Sequence, residues 1–294
     1  MHILSGKEVS KAVYADLHAR TASFIKTYGY APTLAVVLVG SDPASQSYVR
    51  SKKKACIELG FGHQDYVVPE TITQLELVNL VKRLNQDSSV HGILVQMPLP
   101  SHLDSNEVIE TIDPHKDVDG FHPISVGKLL IGLPTFVSCT PLGVVAMLDH
   151  YQIETASKHV VIIGRSNIVG KPLAALLMQK GRDATVTVCH SRTRDLSSLT
   201  LTADILIAAM GKPLFVTPSM VKEGAVVIDV GINRIEDPSD PRGYRLVGDV
   251  DYAGVSPHCS AITPVPGGVG VMTIAMLMKN TLQAAEQLAD KDTL

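Results

Sequence analysis

The 294-residue chain has no tryptophan, and aromatic residues make up only 4% of it. Aromatic platforms for stacking single-stranded nucleic acid are therefore scarce. A basic excess is also missing. Lys plus Arg number 26 against 29 Asp plus Glu, for a formal net charge of −3, which leaves no electrostatic footprint for DNA or RNA. The four cysteines, Cys56, Cys139, Cys189 and Cys259, are widely spaced and form no CxxC pair. Neither a disulfide framework nor a zinc site is indicated, and all four are expected to be reduced and mostly buried. Met1 to Lys11 carries His2, Lys7 and Glu8 and no signal-peptide apolar core. Two stretches without Asp, Glu, Lys or Arg, Leu129 to Leu148 and Tyr252 to Met278, contain Pro134, Pro141, Pro257, Pro264 and Pro266. Neither can run as one apolar membrane helix. These absences predict a cytoplasmic protein that binds neither nucleic acid nor membrane.

What is present is globular. Hydrophobic residues are 45% and charged residues 19%, and a length of about two times 150 residues suggests two domains. Leu34 to Val39 reads as a buried strand ending in Gly40, followed by a loop and a helix to Leu59. His63 to Val68 reads as a strand, Leu75 to Leu84 as a helix, and Gly92 to Met97 as a third strand. After Asp113 to Gly120 the alternation restarts, with a helix near Gly143 to His150 and strands at His159 to Ile163, Thr185 to Cys189, Ile205 to Met210 and Val226 to Val230. Alternating strands and helices predict parallel sheets covered on both faces. The last segment, Val271 to Ala289, carries Ile274, Leu277, Met278, Leu282, Ala285 and Leu288 on one stripe, a long amphipathic helix expected to return to the first domain.

His159 to Leu173 is a strand, a tight turn and a helix start, with Gly164 and Gly170 at the turn. That arrangement lets backbone N–H groups meet a pyrophosphate, although the spacing is not GxGxxG and a purely structural turn is the alternative. At the end of the next strand, where NAD-binding proteins commonly place an acid, stand His190, Ser191 and Arg192, with Arg165 and Ser166 in the first turn. Hydroxyls and a guanidinium suit a 2′-phosphate, so NADP is expected over NAD. The plainer alternative is solvated surface arginines.

Tyr48 and Lys52 lie four apart on a helix and share one face. The run Lys52 to Lys54 is either a solvated face or, at Lys52, a partly desolvated amine whose pKa is lowered enough to exchange protons near neutrality. Gln96 ends an apolar strand just before Pro98-Leu-Pro100, at the sheet edge where open α/β folds bind ligands. Asp117 and Asp119 precede Gly120 and can either read a donor-rich ring or cap the turn. Metal binding is the weaker reading, with only His115 and His122 nearby. Thr263 to Gly270 is a loop whose Gly267 and Gly268 let backbone approach a ligand, or serve as a hinge.

Six segments, Ser47 to Lys52, Val95 to Pro100, Lys116 to Pro123, Cys139 to Gly143, Gly164 to Gly170 and Thr263 to Gly270, occur in order over nearly the whole chain. Together they resemble the bifunctional methylene-tetrahydrofolate dehydrogenase and methenyl-tetrahydrofolate cyclohydrolase family. The sequence departs from the family at Val271, where Pro is usual, a change expected to loosen the helix start without touching chemistry. The resemblance implies two α/β domains flanking a cleft: residues 1–120 plus 272–294 for folate and a Rossmann-like 121–271 for NADP. It implies a homodimer in one-carbon metabolism, with a small-molecule folate substrate and no metal. It casts Lys52 as the principal catalytic residue, Tyr48 as stacking on or orienting the folate, Gln96 as partner of Lys52, and Asp119 as acceptor for the pterin. Val95, Met97 and Pro266, Gly267, Gly268, Val269 and Gly270 would line the folate site, and Gly164, Arg165, Ser166, Ser191 and Ile232 would hold the cofactor. A shikimate-type dehydrogenase would not be expected to need Tyr48, Lys52 and Gln96 together. Retention of all the proposed polar residues speaks against an NADP-sensing protein without catalysis.

Overall fold

Leu34 to Val39 is buried along its whole length, as a parallel strand covered on both faces must be. In the computed structural model, which describes residues 1–240 and 243–292, it forms part of β2. The chain begins with β1 (His2–Ile3) and α1 (Gly6–Tyr28), then runs β2 (Thr33–Val39), α2 (Pro43–Leu59), β3 (Gly62–Val68), α3 (Gln74–Gln86), β4 (Gly92–Val95), α4 (Ser105–Thr111) and α5 (Pro123–Leu130). β2 lies between β3 and β4 in a three-stranded parallel sheet. Helix α3 shows how locally this is encoded. Thr73 and Glu76 form a reciprocal capping box, and Leu77, Val78, Leu80, Val81 and Leu84 are buried on one stripe, each side chain contributing roughly 1.5–3 kcal/mol.

The second alternation comprises α6 (Cys139–His150), β5 (His159–Ile163), α7 (Gly170–Leu177), β6 (Thr185–Cys189), α8 (Leu196–Thr200), β7 (Ile205–Ala208) and β8 (Ala225–Asp229). An antiparallel hairpin, β9 (Asn233–Glu236) and β10 (Tyr244–Val247), then leads to α9 (Tyr252–Val255), β11 (Cys259–Ile262) and α10 (Val269–Asp292). Six parallel strands are ordered β1-β11-β8-β7-β5-β6.

The chain divides into two units: Met1–Lys11 with Thr140–Thr273, and Ala12–Cys139 with the chain from Ile274 onward. This differs from the division at 120/121 and 271/272 expected from the sequence, for three reasons. The N-terminus joins the six-stranded sheet because β1 pairs with β11, and Leu4 N donates to Ile262 O. Residues 121–139 stay with the three-stranded sheet because Asp117 holds the start of α5, accepting from Phe121 N, His122 N and Ser125 Oγ. Helix α10 passes from one unit to the other at Thr273. Its later turns pack within the first α/β unit, where Met278 meets Cys56 and Glu286 pairs with Arg20 at 2.6 Å. The third strand also ends sooner than the sequence suggests, at Val95, although Gln96 N still donates to Val37 O. Among the described residues, no helix is long and apolar enough to cross a membrane, and no group of three or more His, Cys, Asp or Glu could hold a metal ion. All four cysteines are free and buried.

Candidate active site

Gly40 leaves β2 at a φ of +79°, Asp42 caps α2 by accepting from Ser45 N, and Pro43 opens the helix. This local chemistry fixes the phase of α2. Lys52 faces inward at 9% exposure, whereas Tyr48, one turn earlier, is half exposed. Its neighbours take other work: Lys53 pairs with Asp65, and Lys54 is exposed. The Lys52 ammonium donates to Gln96 Oε1 at 2.8 Å, and Gln96 Nε2 donates to Met97 O at 2.7 Å. The amide is thus turned so that its oxygen faces the lysine. Val95 is buried at the end of β4, and Met97 is partly exposed beyond it.

Burial lowers the Lys52 pKa, while the charge of Asp119 opposes that shift. Burial pushes the Asp119 carboxyl up to about 6, against the pull of Lys52. Cys139, at the start of α6, has its thiol 3.8 Å from Asp119 Oδ1, and its pKa is raised by burial and by that carboxylate. It therefore stays a neutral thiol beside Asp119.

The two aspartates separated by Val118 play different parts. Asp117 is 1% exposed and spends its oxygens on the N-terminus of α5. Of the readings open to the pair, capping describes Asp117, while Asp119 acts on Lys52 through its charge. Lys116 anchors the same loop by donating to Leu84 O, Asn85 O and Asp87 O at the end of α3. Ile93 N donates to Lys116 O, so the loop runs beside β4. His122 accepts from Ile124 N through Nδ1 as the cap of α5, and His115 is exposed.

In the six-stranded unit, β5 ends at Gly164, whose φ is +136° and where a side chain would collide with Ala209 O. A side chain at Gly170 would likewise strike Gly164 O. The turn is therefore bare backbone at both glycines. Helix α7 begins with no side-chain cap; Lys171 N donates to Ser166 O within the turn, and the positive end of the helix dipole lies at these glycines. Arg165 and Ser166 are exposed on this turn, with Ser166 Oγ also accepting from Val169 N. Ser191 is exposed just past β6, the neighbour of β5. These groups fit a phosphorylated dinucleotide: a backbone cradle for the pyrophosphate, with hydroxyls and a guanidinium near the next strand end.

Ile232, 47% exposed, lies against Gly270, where a Cβ would come within 2.5 Å of its Cδ1. Pro266 to Gly270 thus belong to the same unit as Gly164, Arg165, Ser166 and Ser191. Gly267 sits at a φ of +102°, and Lys7 N donates to its carbonyl. A Cβ on Gly6 would collide with Gly268 O, so the N-terminal segment fastens this loop.

Sequence reasoning overlooked a buried acid pair behind these residues. Asp249, fully buried, accepts from Met210 N, Gly211 N and Asn233 Nδ2. Asp229 accepts from Gly231 N, Asp249 N and Val250 N, and burial raises its carboxyl to about 6. Together they tie the loops after β7 and β8, the second of which carries Ile232. The available signal was an acid closing the apolar run Ala225 to Ile228, since a buried carboxylate needs partners.

Two family models account for the chain: the catalytic domain of tetrahydrofolate dehydrogenase/cyclohydrolase over residues 4–119 and its NAD(P)-binding domain over 138–289. The bifunctional protein FolD of Chlorobium phaeobacteroides is 57% identical over 292 residues, covering 98% of this chain and 99% of that protein. The crystal structure of the bifunctional FolD methylenetetrahydrofolate dehydrogenase/cyclohydrolase from Campylobacter jejuni superposes with a TM-score of 0.92 at 50% identity, covering 98% and 99% of the two chains. The Trypanosoma brucei enzyme, solved with NADP cofactor and an inhibitor, gives 0.92 at 40% identity and 97% coverage of each chain. Likeness of this extent, in sequence and in fold alike, places the chain in the tetrahydrofolate dehydrogenase/cyclohydrolase family.

Proposed function

We propose that the protein oxidises 5,10-methylenetetrahydrofolate to the 5,10-methenyl form with NADP and then hydrolyses that product to 10-formyltetrahydrofolate, and that Lys52 is the principal group in the second step. Membership of the family and the fit of the glycine turn to a phosphorylated dinucleotide support the two activities and the cofactor. The observation that carries the residue assignment is a buried ammonium held on an amide oxygen next to a carboxylate at a sheet's carboxyl edge.

In the first step a hydride leaves the one-carbon bridge, which is already activated by two nitrogens. The bound cofactor supplies the nicotinamide that accepts it. The chain's part is to position: Tyr48 presents an exposed ring to the pteridine, and Asp119 accepts from its N–H groups. Val95 and Met97 form the strand end beneath it. In the second step water adds to the methenyl carbon, a carbon–nitrogen bond breaks, and one proton is released. Lys52, whose lowered pKa eases loss of its proton, moves protons to and from the attacking water and the leaving nitrogen. Gln96 Oε1 keeps its Nζ aimed. In the other unit, Gly164 would offer backbone to the pyrophosphate, Arg165, Ser166 and Ser191 would hold the 2′-phosphate, and Ile232 would help to hold the bound cofactor. Pro266, Gly267, Gly268, Val269 and Gly270 offer ligand-facing backbone.

The same reading makes the protein a cytoplasmic homodimer in one-carbon metabolism, supplying purine, methionine and histidine synthesis. Light scattering at assay concentration would give the mass of two chains. The decisive assay follows methenyltetrahydrofolate absorbance from methylenetetrahydrofolate with each nicotinamide cofactor in turn. The expected result is a marked preference for NADP, and equal kcat/KM for NAD and NADP would overturn the 2′-phosphate assignment to Arg165, Ser166 and Ser191.

A further inference from the structure

The turn that carries Asp119 is held from the far end of the chain. Asn280 of α10 is 2% exposed, and its Nδ2 donates to Val118 O at 2.8 Å and to Val137 O at 3.0 Å. Val118 immediately precedes Asp119, and Val137 lies in the segment leading to Cys139. These two segments meet backbone to backbone: a Cβ on Gly120 would stand 2.6 Å from both Ser138 N and Val137 C. The Cys139 thiol donates to the same Val118 O at 3.5 Å, and Asn280 Nδ2 lies 3.8 Å from its sulfur. One amide thus joins three strands of chain around the carboxylate.

The other anchors of the loop act elsewhere. Lys116 fixes its start to α3, and Asp117 fixes its end to α5. At Val118 itself the side-chain donors are Asn280 and Cys139. Holding two carbonyls with one planar NH₂ group sets both their separation and their direction, because the two N–H bonds diverge at a fixed angle. A residue that only filled the core here would be apolar, since a buried amide is tolerated only where its hydrogen bonds are made.

We propose that Asn280 is a positioning residue for the folate chemistry: by clamping Val118 to Val137 it sets the Asp119 carboxylate against the Lys52 ammonium. The inference rests on the assignment of Lys52 and Asp119 to the reacting folate. The charged and titratable groups facing this pair are the two residues themselves, Asp117 and Cys139. When Asn280 is lost, Asp119 withdraws from Lys52. The lysine then loses the charge that supports its protonated form and titrates at lower pH.

The test is the pH profile of methenyl hydrolysis for wild type, Asn280→Leu and Lys52→Met, each on dimer purified and shown folded by thermal melting. Asn280→Leu keeps the size and removes both donors. Asn280→Ser, which retains one short donor, serves if the leucine variant does not fold. The expected result is a kcat reduced roughly tenfold or more, the limb that reports Lys52 moved to lower pH, and NADP affinity unchanged by fluorescence titration. A kcat within twofold of wild type, or a loss that only tracks the folded fraction with both limbs unmoved, overturns the proposal while leaving the Lys52 assignment standing. Undiminished hydrolysis by Lys52→Met overturns that assignment, and this inference falls with it.

Discussion

Lys52 Nζ stands 2.8 Å from Gln96 Oε1, and Gln96 in turn is locked by its own donation to Met97 O. The ammonium therefore has a single defined direction. Gln96→Leu removes the acceptor while keeping the volume, so it leaves a buried charge without that partner, at a cost of about 1–3 kcal/mol. Hydrolysis should fall by roughly 10- to 100-fold, with the Lys52 pKa lowered further. Gln96→Glu would raise that pKa instead. Identical pH profiles for these two variants and wild type would remove Gln96 from the mechanism.

Lys52→Met keeps the unbranched stem and deletes the amine that we propose carries the proton. The variant should lose hydrolysis by about 10²-fold or more while binding NADP as wild type does, because the residues we assign to the nucleotide, Gly164, Arg165, Ser166, Ser191 and Ile232, lie in the other unit. Stopped-flow decay of methenyltetrahydrofolate absorbance checks the first part, and calorimetric titration with NADP checks the second.

Acid titration should act through Asp119. Its carboxyl is pushed up from the usual carboxylate range to about 6, so it is ionised at neutral pH and takes up a proton as pH falls through 6. Protonation removes the acceptor we propose for the pterin and a supporting charge from Lys52. The kcat/KM for folate, which reports the free enzyme, should fall on the acid side with a midpoint near 6. In Asp119→Asn that limb should be absent. The stability effect has the opposite sense: a carboxyl whose pKa is raised in the fold binds protons there that the unfolded chain releases, so its ionisation weakens the fold as pH climbs from about 4 to about 6. Asp229 adds to the same slope.

Gly248→Ala places a methyl on the Asp229 carboxylate, inside the acid pair that ties the loops after β7 and β8. Overpacking there should cost about 1–3 kcal/mol, seen as a lower Tm, and NADP affinity should fall because Ile232 rides on one of these loops. A melting curve and a nucleotide titration matching wild type would show the pair to be passive.

What the sequence determined by itself was whatever depends on neighbouring residues. Apolar runs and their breakers marked the strands, a helix ending at Leu59 was legible after β2, and Gly164 and Gly170 marked a tight turn. The spacing of Tyr48 and Lys52 placed them on one helix, and Gln96 at a strand end was read from the four apolar residues before it. Backbone restrictions and the period of the helix act over a few residues, so a linear reading captures them.

The tertiary structure alone decided which of two similar acids is free. Asp117 and Asp119 share a loop and a residue type, yet one is consumed by Phe121 N, His122 N and Ser125 Oγ around the start of α5 while the other feels the charge of an ammonium from α2. It also decided that His2 and Ile3 complete a sheet with residues 261 and 262, and that Asn280 reaches a carbonyl 162 positions away. Such pairings follow from how whole elements bury their apolar faces against one another, and no local pattern records which distant partner the packing will supply.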